Sequence, residues 1–158
     1  MPSNKDLAAT GLRLALAGRF AHPEPADAVA GLSAVAAGTL PEGASRTIHE
    51  ILGHLVYWQD VTLKWIDGVE PEAPATPEEP WPAGPKPESA EAWTALADRF
   101  VEGIRQAKRI AVREDLDAPL VGMEGATVFG ALHATASHNS WHAGQIVMLR
   151  RMLGEWRD

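Results

Sequence analysis

The chain contains no cysteine among its 158 residues. This absence excludes disulfide bonds, thiolate metal ligands and a cysteine nucleophile. Any metal ion must therefore be held by histidine, aspartate or glutamate side chains. Any thiol chemistry must take its sulfur from a small molecule.

Basic residues and long apolar runs are also scarce. The chain has 14 lysine and arginine residues against 21 aspartate and glutamate residues, a formal net charge of −7. A negative chain repels a phosphate backbone, so we expect no direct nucleic-acid partner. No run reaches the roughly eighteen apolar residues that a membrane span needs, and Asp6 and Arg13 interrupt the apolar residues near the start. We therefore expect a cytoplasmic protein with no export signal and no membrane partner.

Helical periodicity dominates what the sequence does contain. Four long segments repeat apolar residues at steps of three and four, without alternating strand residues or an internal repeat. With 46% hydrophobic residues, the chain is predicted to be one all-α domain over residues 1–158. The predicted helices cover residues 4–20 with a shorter stretch at 26–37, residues 47–68 behind a capping box of Thr47 and Glu50, residues 90–116, and residues 127–154.

The connection between the second and third long helices is rich in proline. Residues 68–87 hold seven of the twelve prolines, several glutamates and one tryptophan, Trp81. Proline cannot continue a helix, so this segment is predicted to be a long, stiff loop. Trp81 gives the loop one apolar anchor. The loop is either a surface strap held by that anchor, which we favour, or a lid over a substrate.

The fourth long helix has polar residues on its predicted core-facing side. Steps of three and four give the seam Val128, Ala131, Thr135, His138, His142, Gln145, Leu149 and Met152. A buried polar group without a partner loses roughly 1 to 3 kcal/mol, and a metal ion would supply that partner. His138 and His142 stand four residues apart, so both imidazoles can face one ion. Gln145 can hydrogen-bond the bound group or a ligand histidine, or it can simply fill a polar gap.

A third inward histidine comes from the second long helix. Its seam reads Ile51, His54, Trp58, Val61 and Trp65, so His54 stands among large apolar side chains. Three core-facing imidazoles on two helices are best explained by one shared divalent ion. The predicted metal ligands are therefore His54, His138 and His142.

Neighbouring polar residues are excluded from this set. His49 is five residues from His54, about 140° around the helix, and we expect it on the outer face. His133 is nine residues before His142, close to the opposite side of its helix. Glu50 lies one turn before His54, but the capping box gives it a structural role.

Two strings in these helices resemble the metal-bearing helices of the DinB/YfiT-like superfamily. They are TIHEILGHL at residues 47–55 and HNSWHAGQI at residues 138–146, followed by LRRMLG at residues 149–154. Helix order and length extend the resemblance over nearly the whole chain. It implies a four-helix up-and-down bundle, often a homodimer, with zinc, nickel or a similar ion on one histidine of the second helix and two of the fourth. Those positions are His54, His138 and His142 here.

The resemblance also implies several classes of function. Better understood relatives are transferases and isomerases that use low-molecular-weight thiols, and others are metal-dependent hydrolases. In a transferase the ion lowers the pKa of a cosubstrate thiol, whereas in a hydrolase it activates water. No inward carboxylate base is evident, which favours thiol transfer to a small-molecule substrate, and the catalytic residues stay unassigned. The remaining alternatives are a non-catalytic, stress-related metal-binding protein, a structural metal, and a haem bundle with two axial histidines.

Overall fold

The computed structural model describes residues 1–113 and 115–156, and the regular secondary structure of these residues is helical. Its elements are α1 (Asn4–Leu16), α2 (Pro25–Val29), α3 (Ala34–Ala37), α4 (Ile48–Ile66), α5 (Ala90–Ile110) and α6 (Val128–Met152). The described residues form no strand, and their only β-type pairing is an isolated antiparallel bridge between Pro119 and Thr127. The prediction of an all-α protein is therefore confirmed. No helix in these two ranges is both long and apolar enough to cross a membrane.

Each of the four long helices begins at a serine or threonine cap. The side-chain oxygens of Ser3, Thr47, Ser89 and Thr127 accept backbone N–H groups that the first turn would otherwise leave unpaired. At Thr47 the predicted capping box is confirmed, because the Glu50 carboxylate also accepts the backbone N–H of Thr47, at 2.8 Å. These local signals explain why the starts of the long helices could be read from the sequence.

The N-terminal part differs from the prediction in two places. Helix α1 ends at Leu16 and not at residue 20, because Gly18 turns the chain with φ +66°. A Cβ at Gly18 would lie 2.4 Å from the ring of His22, so only glycine permits this close approach. The stretch at 26–37 is two short helices, α2 and α3, separated at Gly31, which has φ +69°. Both interruptions fall at glycines in left-handed backbone conformations.

The long helices enclose two hydrophobic clusters. Helix α4 packs against α5 and α6, and α1 packs against α6 and α5. Around one end of the helices lie Ile48, Leu52, Leu55, Phe100, Ile104 and Ile146. Around the other end lie Leu12, Leu16, Leu63, Ile110, Val128 and Leu132. His138 and His142 fall between the two clusters along α6, on a stretch that also holds the buried polar residues Thr135 and Asn139.

Helix α6 buries a wider sector than the predicted single seam. It contacts α4 on one side and α1 and α2 on another, so residues off the seam are also buried. Two seam predictions are wrong, because Gln145 is exposed and Met152 is 50% exposed. The buried residues that the seam left out are Leu132, Ala136, Asn139, Ala143, Ile146 and Arg150.

Residues 67–89 connect α4 to α5 without a helix and lie against the helical body. Pro82 approaches α4 so closely that a Cβ at Gly53 would stand 2.3 Å from its ring. The Thr47 hydroxyl donates to the carbonyl oxygen of Pro85. A Cβ at Gly38 would likewise lie 2.5 Å from the side chain of Lys86. This segment is therefore packed at several points, and its anchor is not Trp81 alone.

Candidate metal centre

The structure brings His54, His138 and His142 together. Each offers one nitrogen to a set of atoms that all lie within 4.8 Å of one another. The ring centroids are 4.6 Å apart for His138 and His142, 5.2 Å for His54 and His138, and 5.1 Å for His54 and His142. One imidazole comes from α4 and two come from successive turns of α6. The packing of α4 on α6 therefore creates the cluster.

The surroundings keep these imidazoles neutral. Burial, followed by the nearby rings of His138 and His142, lowers the pKa of His54 to about 4. Burial and then His142 lower the pKa of His138 to about 4, and burial also lowers the pKa of His142. A neutral imidazole carries a lone pair, which is the form that binds a metal ion. At neutral pH the cluster therefore presents three neutral imidazoles, the form that could bind a metal ion.

Gln145 determines which nitrogen His142 can offer. The Nδ1 atom of His142 lies 2.6 Å from Oε1 of Gln145. An amide oxygen can only accept a hydrogen bond, so Nδ1 carries the proton and donates it. The lone pair then sits on Nε2, on the opposite edge of the ring. Although Gln145 is exposed, it contacts a histidine of the cluster, which is one of the roles expected from its place on α6.

The geometry of the cluster is compatible with a divalent metal ion. Two nitrogens that share a tetrahedral zinc at about 2.0 to 2.1 Å lie roughly 3.3 Å from each other. The three candidate nitrogens lie within 4.8 Å, so small side-chain rotations would bring them to that spacing. Neutral imidazole is also a common ligand for zinc, nickel, copper and iron. The chemistry and the spacing of the donor set therefore both fit a metal site.

Two tryptophans flank His54. Trp81, from the proline-rich segment, stacks on the His54 ring at a centroid distance of 3.9 Å and an interplanar angle of 16°. Trp58, one turn along α4, meets the same ring edge-on at 6.4 Å. The predicted apolar anchor of the segment thus lies on the cluster itself. The sequence marked Trp81 as an anchor but gave no sign of what it would contact.

Two cavities reach the cluster. One, of about 550 Å³, is lined by His142 and Gln145 together with Arg46 and Trp81. The other, of about 230 Å³, is lined by His138 and by residues of α4 that include Trp58. Small molecules can therefore approach the imidazoles from two sides.

The histidines excluded by spacing lie outside the cluster. His133 is exposed and stacks on the ring of Phe129. His49 is half-buried, lies outside the group of close donor atoms, and has a pKa lowered by burial. His22 binds Ser140, with Nε2 2.8 Å from the hydroxyl oxygen.

The comparisons with known proteins identify the family. A model of the DinB superfamily matches residues 20–146, which include α4, α5 and all three histidines of the cluster. No curated protein and no solved structure matches the chain. Because the match extends over most of the sequence, the chain belongs to the DinB superfamily.

Proposed function

We propose that this protein is a metal-dependent enzyme that transfers a low-molecular-weight thiol to an electrophilic small molecule. Zinc or nickel would be held by His54, His138 and His142. The observation that carries this proposal is the meeting of three neutral imidazoles beside two cavities. Three protein ligands are typical of catalytic sites, whereas structural zinc sites are usually closed by four.

The chain's own residues would prepare the site. A divalent ion there would lower the pKa of a cosubstrate thiol and so populate the thiolate at neutral pH. Gln145 holds His142 in the tautomer whose Nε2 is available. Trp81 stacks on one face of the His54 ring and would help to orient it. The sulfur then forms a bond to the electrophilic carbon, the leaving group departs with its electron pair, and the thiol proton passes to solvent.

A metal-dependent hydrolase is the alternative, and Glu50 bears on the choice. Hydrolysis would use a carboxylate base near the attacking water. Both carboxylate oxygens of Glu50 are occupied, Oε2 by the N–H of Thr47 and Oε1 by Arg46, each at 2.8 Å. The carboxylate nearest in sequence to His54 thus serves the helix cap, which favours thiol transfer. A non-catalytic, stress-related metal-binding protein is the third possibility.

The arrangement of the long helices is also part of the proposal. We propose that α1, α4, α5 and α6 form the four-helix up-and-down bundle that the family resemblance implies. The mutual contacts of these four helices support it. A cytoplasmic location and a homodimer, expected from the sequence, stay predictions.

One assay separates the three functions. Metal-loaded protein is incubated with bacillithiol, mycothiol or glutathione and a chloronitroaromatic electrophile, and in parallel with an ester and an amide. We expect conjugate formation that requires both the metal and a thiol. The conjugation rate of His142→Ala should fall with its metal content, while His133→Ala keeps the wild-type rate. Hydrolysis without thiol would instead assign the hydrolase, and metal binding without any turnover would assign the non-catalytic protein.

A further inference from the structure

The larger of the two cavities has the size of a ligand site. It occupies about 550 Å³ where α4 begins, opposite the second half of α6. Small-molecule sites commonly enclose about 300 to 1,000 Å³. His142 and Gln145 form part of its wall, so a ligand inside it would reach the histidine cluster. The other lining residues, apart from Arg46 and Trp81, are Gly43, Ala44, Ser45, Ile51, Met148 and Leu149.

Arg46 supplies a positive charge on an otherwise uncharged wall. The described lining residues include no carboxylate and no second lysine or arginine. A ligand ion taken out of water needs a counter-charge, and a guanidinium meets that need for an anion. The chain as a whole carries a formal charge of −7, so its general field repels anions. Arg46 is therefore the one charged residue described on this wall; its side chain is 39% exposed and forms an ion pair with Glu50 at 2.8 Å.

Two contacts hold the guanidinium of Arg46 in place. Its Nη1 donates to Oε1 of Glu50 at 2.8 Å, and its Cζ lies 4.4 Å from the centroid of the Trp81 ring. Glu50 is itself fixed by the backbone N–H of Thr47. A guanidinium has five N–H donors, and the bond to Glu50 uses one of them. The remaining donors can bind a planar carboxylate. A side chain that is already ordered also loses little freedom when a ligand binds.

The rest of the wall suits an apolar stem. Trp81 offers an aromatic ring that also stacks on His54, and the side chain of Met148 is 57% exposed. Ile51 and Leu149 close the interior side as part of the hydrophobic core. A ligand with an anionic end at Arg46 would thus lay its apolar part against these residues and bring its other end to His142.

We propose that this cavity binds a small molecule carrying a carboxylate, which pairs with Arg46 while its apolar stem packs on Trp81 and Met148. This inference rests on the proposed function, because the far end of the ligand is taken to react at the histidine cluster. The carboxylate can belong to the thiol or to its electrophile. In both cases the charge on the ligand is what Arg46 selects.

Calorimetric titration of matched acids and amides tests the proposal. The pairs are 3-phenylpropanoate with its amide and N-acetylcysteine with its amide, so that members of a pair have nearly the same shape and only the acid carries the carboxylate charge. We expect the metal-loaded protein to bind at least one acid about tenfold more tightly than its amide, as one charge-assisted hydrogen-bonded pair with Arg46 implies. Arg46→Gln should reduce that ratio to below about twofold while its metal content stays that of the wild type.

The matched control is Arg105→Gln, which removes the same charge from an exposed site on α5 that pairs only loosely with Glu102, at 3.5 Å. Its acid preference should equal that of the wild type. Equal binding of acid and amide in both pairs, no binding of any compound, or a preference that survives in Arg46→Gln would each overturn the proposal. If the acid preference survives in Arg46→Gln, the role of Arg46 is only to hold Trp81 and Glu50 in place. A preference for acids in a protein that binds no metal would instead refute the proposed function and leave this site standing.

Discussion

His142→Ala is expected to lower the metal content of the purified protein at least about tenfold. The substitution removes one of the three proposed nitrogen ligands and leaves two, His54 on α4 and His138 on α6. His133→Ala is expected to leave the metal content unchanged, because His133 lies on the exposed side of the same helix and stacks on Phe129. Both variants are loaded with metal in the same way and passed through gel filtration, and elemental analysis then measures the metal content of each. The pair is matched, since each variant replaces one histidine of α6 by alanine.

The outcome is informative only if both variants fold, so circular dichroism and thermal melting accompany the analysis. Equal metal retention in the two variants would refute His142 as a ligand. Equal loss would point to a ligand set that includes His133. The geometry argues against that set, because His133 does not belong to the group of close donor atoms that contains His142.

Arg150→Met is expected to produce a large loss of stability, about 3 kcal/mol, without a change in metal content. Arg150 is 8% exposed, and its guanidinium donates to the carbonyl oxygens of Ala28 at 2.9 Å, Ala30 at 3.0 Å and Glu155 at 3.0 Å. Two of these acceptors lie at the end of α2, where helical carbonyls have no partner within the helix. Methionine fills a similar volume but donates no hydrogen bond, so the carbonyls are left without that donor.

Thermal unfolding measures the effect. A loss of about 3 kcal/mol corresponds to a fall of roughly 6 to 12 °C in Tm for a domain of this size. Arg105→Met, at an exposed position of α5, serves as the control and should change Tm by no more than about 2 °C. A Tm for Arg150→Met within the range of that control would show that other groups or water satisfy the carbonyls. The attachment of α2 to α6 would then depend on apolar contacts alone.

The features that the sequence predicted depend on local chemistry. The capping box at Thr47 and Glu50 needs only a hydroxyl and a carboxylate three residues apart, and it formed as expected. The approach of His138 to His142 needs only the helical repeat, and their rings lie 4.6 Å apart. The apolar repeat along α4 put His54 toward the other two histidines, and its ring centroid lies 5.2 Å from that of His138 and 5.1 Å from that of His142. These signals lie within a few residues of one another, so the sequence contains them directly.

The features that the sequence did not predict depend on contacts between distant segments. Trp81 reaches His54 because the proline-rich segment lies on α4, and Pro82 can approach only because Gly53 has no side chain. Gln145 is exposed and Asn139 is buried, because the contacts of α6 with α1, α2 and α4 cover faces of the helix that differ from the predicted seam. Arg46 stands just before the cap of α4, where no repeating pattern links it to the cluster. The packing of distant segments determines where these side chains lie, and the periodicity of the sequence does not reveal that packing.

The central claim is that imidazoles from α4 and α6 share one divalent ion, and X-ray absorption at the metal edge tests it most directly. For the zinc-loaded protein we expect nitrogen ligands at about 2.0 to 2.1 Å, with the scattering pattern of three imidazole rings. The same measurement on His142→Ala with zinc in excess should show one ring fewer. A shell made only of oxygen, or a wild-type spectrum that fits no more than one imidazole, would contradict the account.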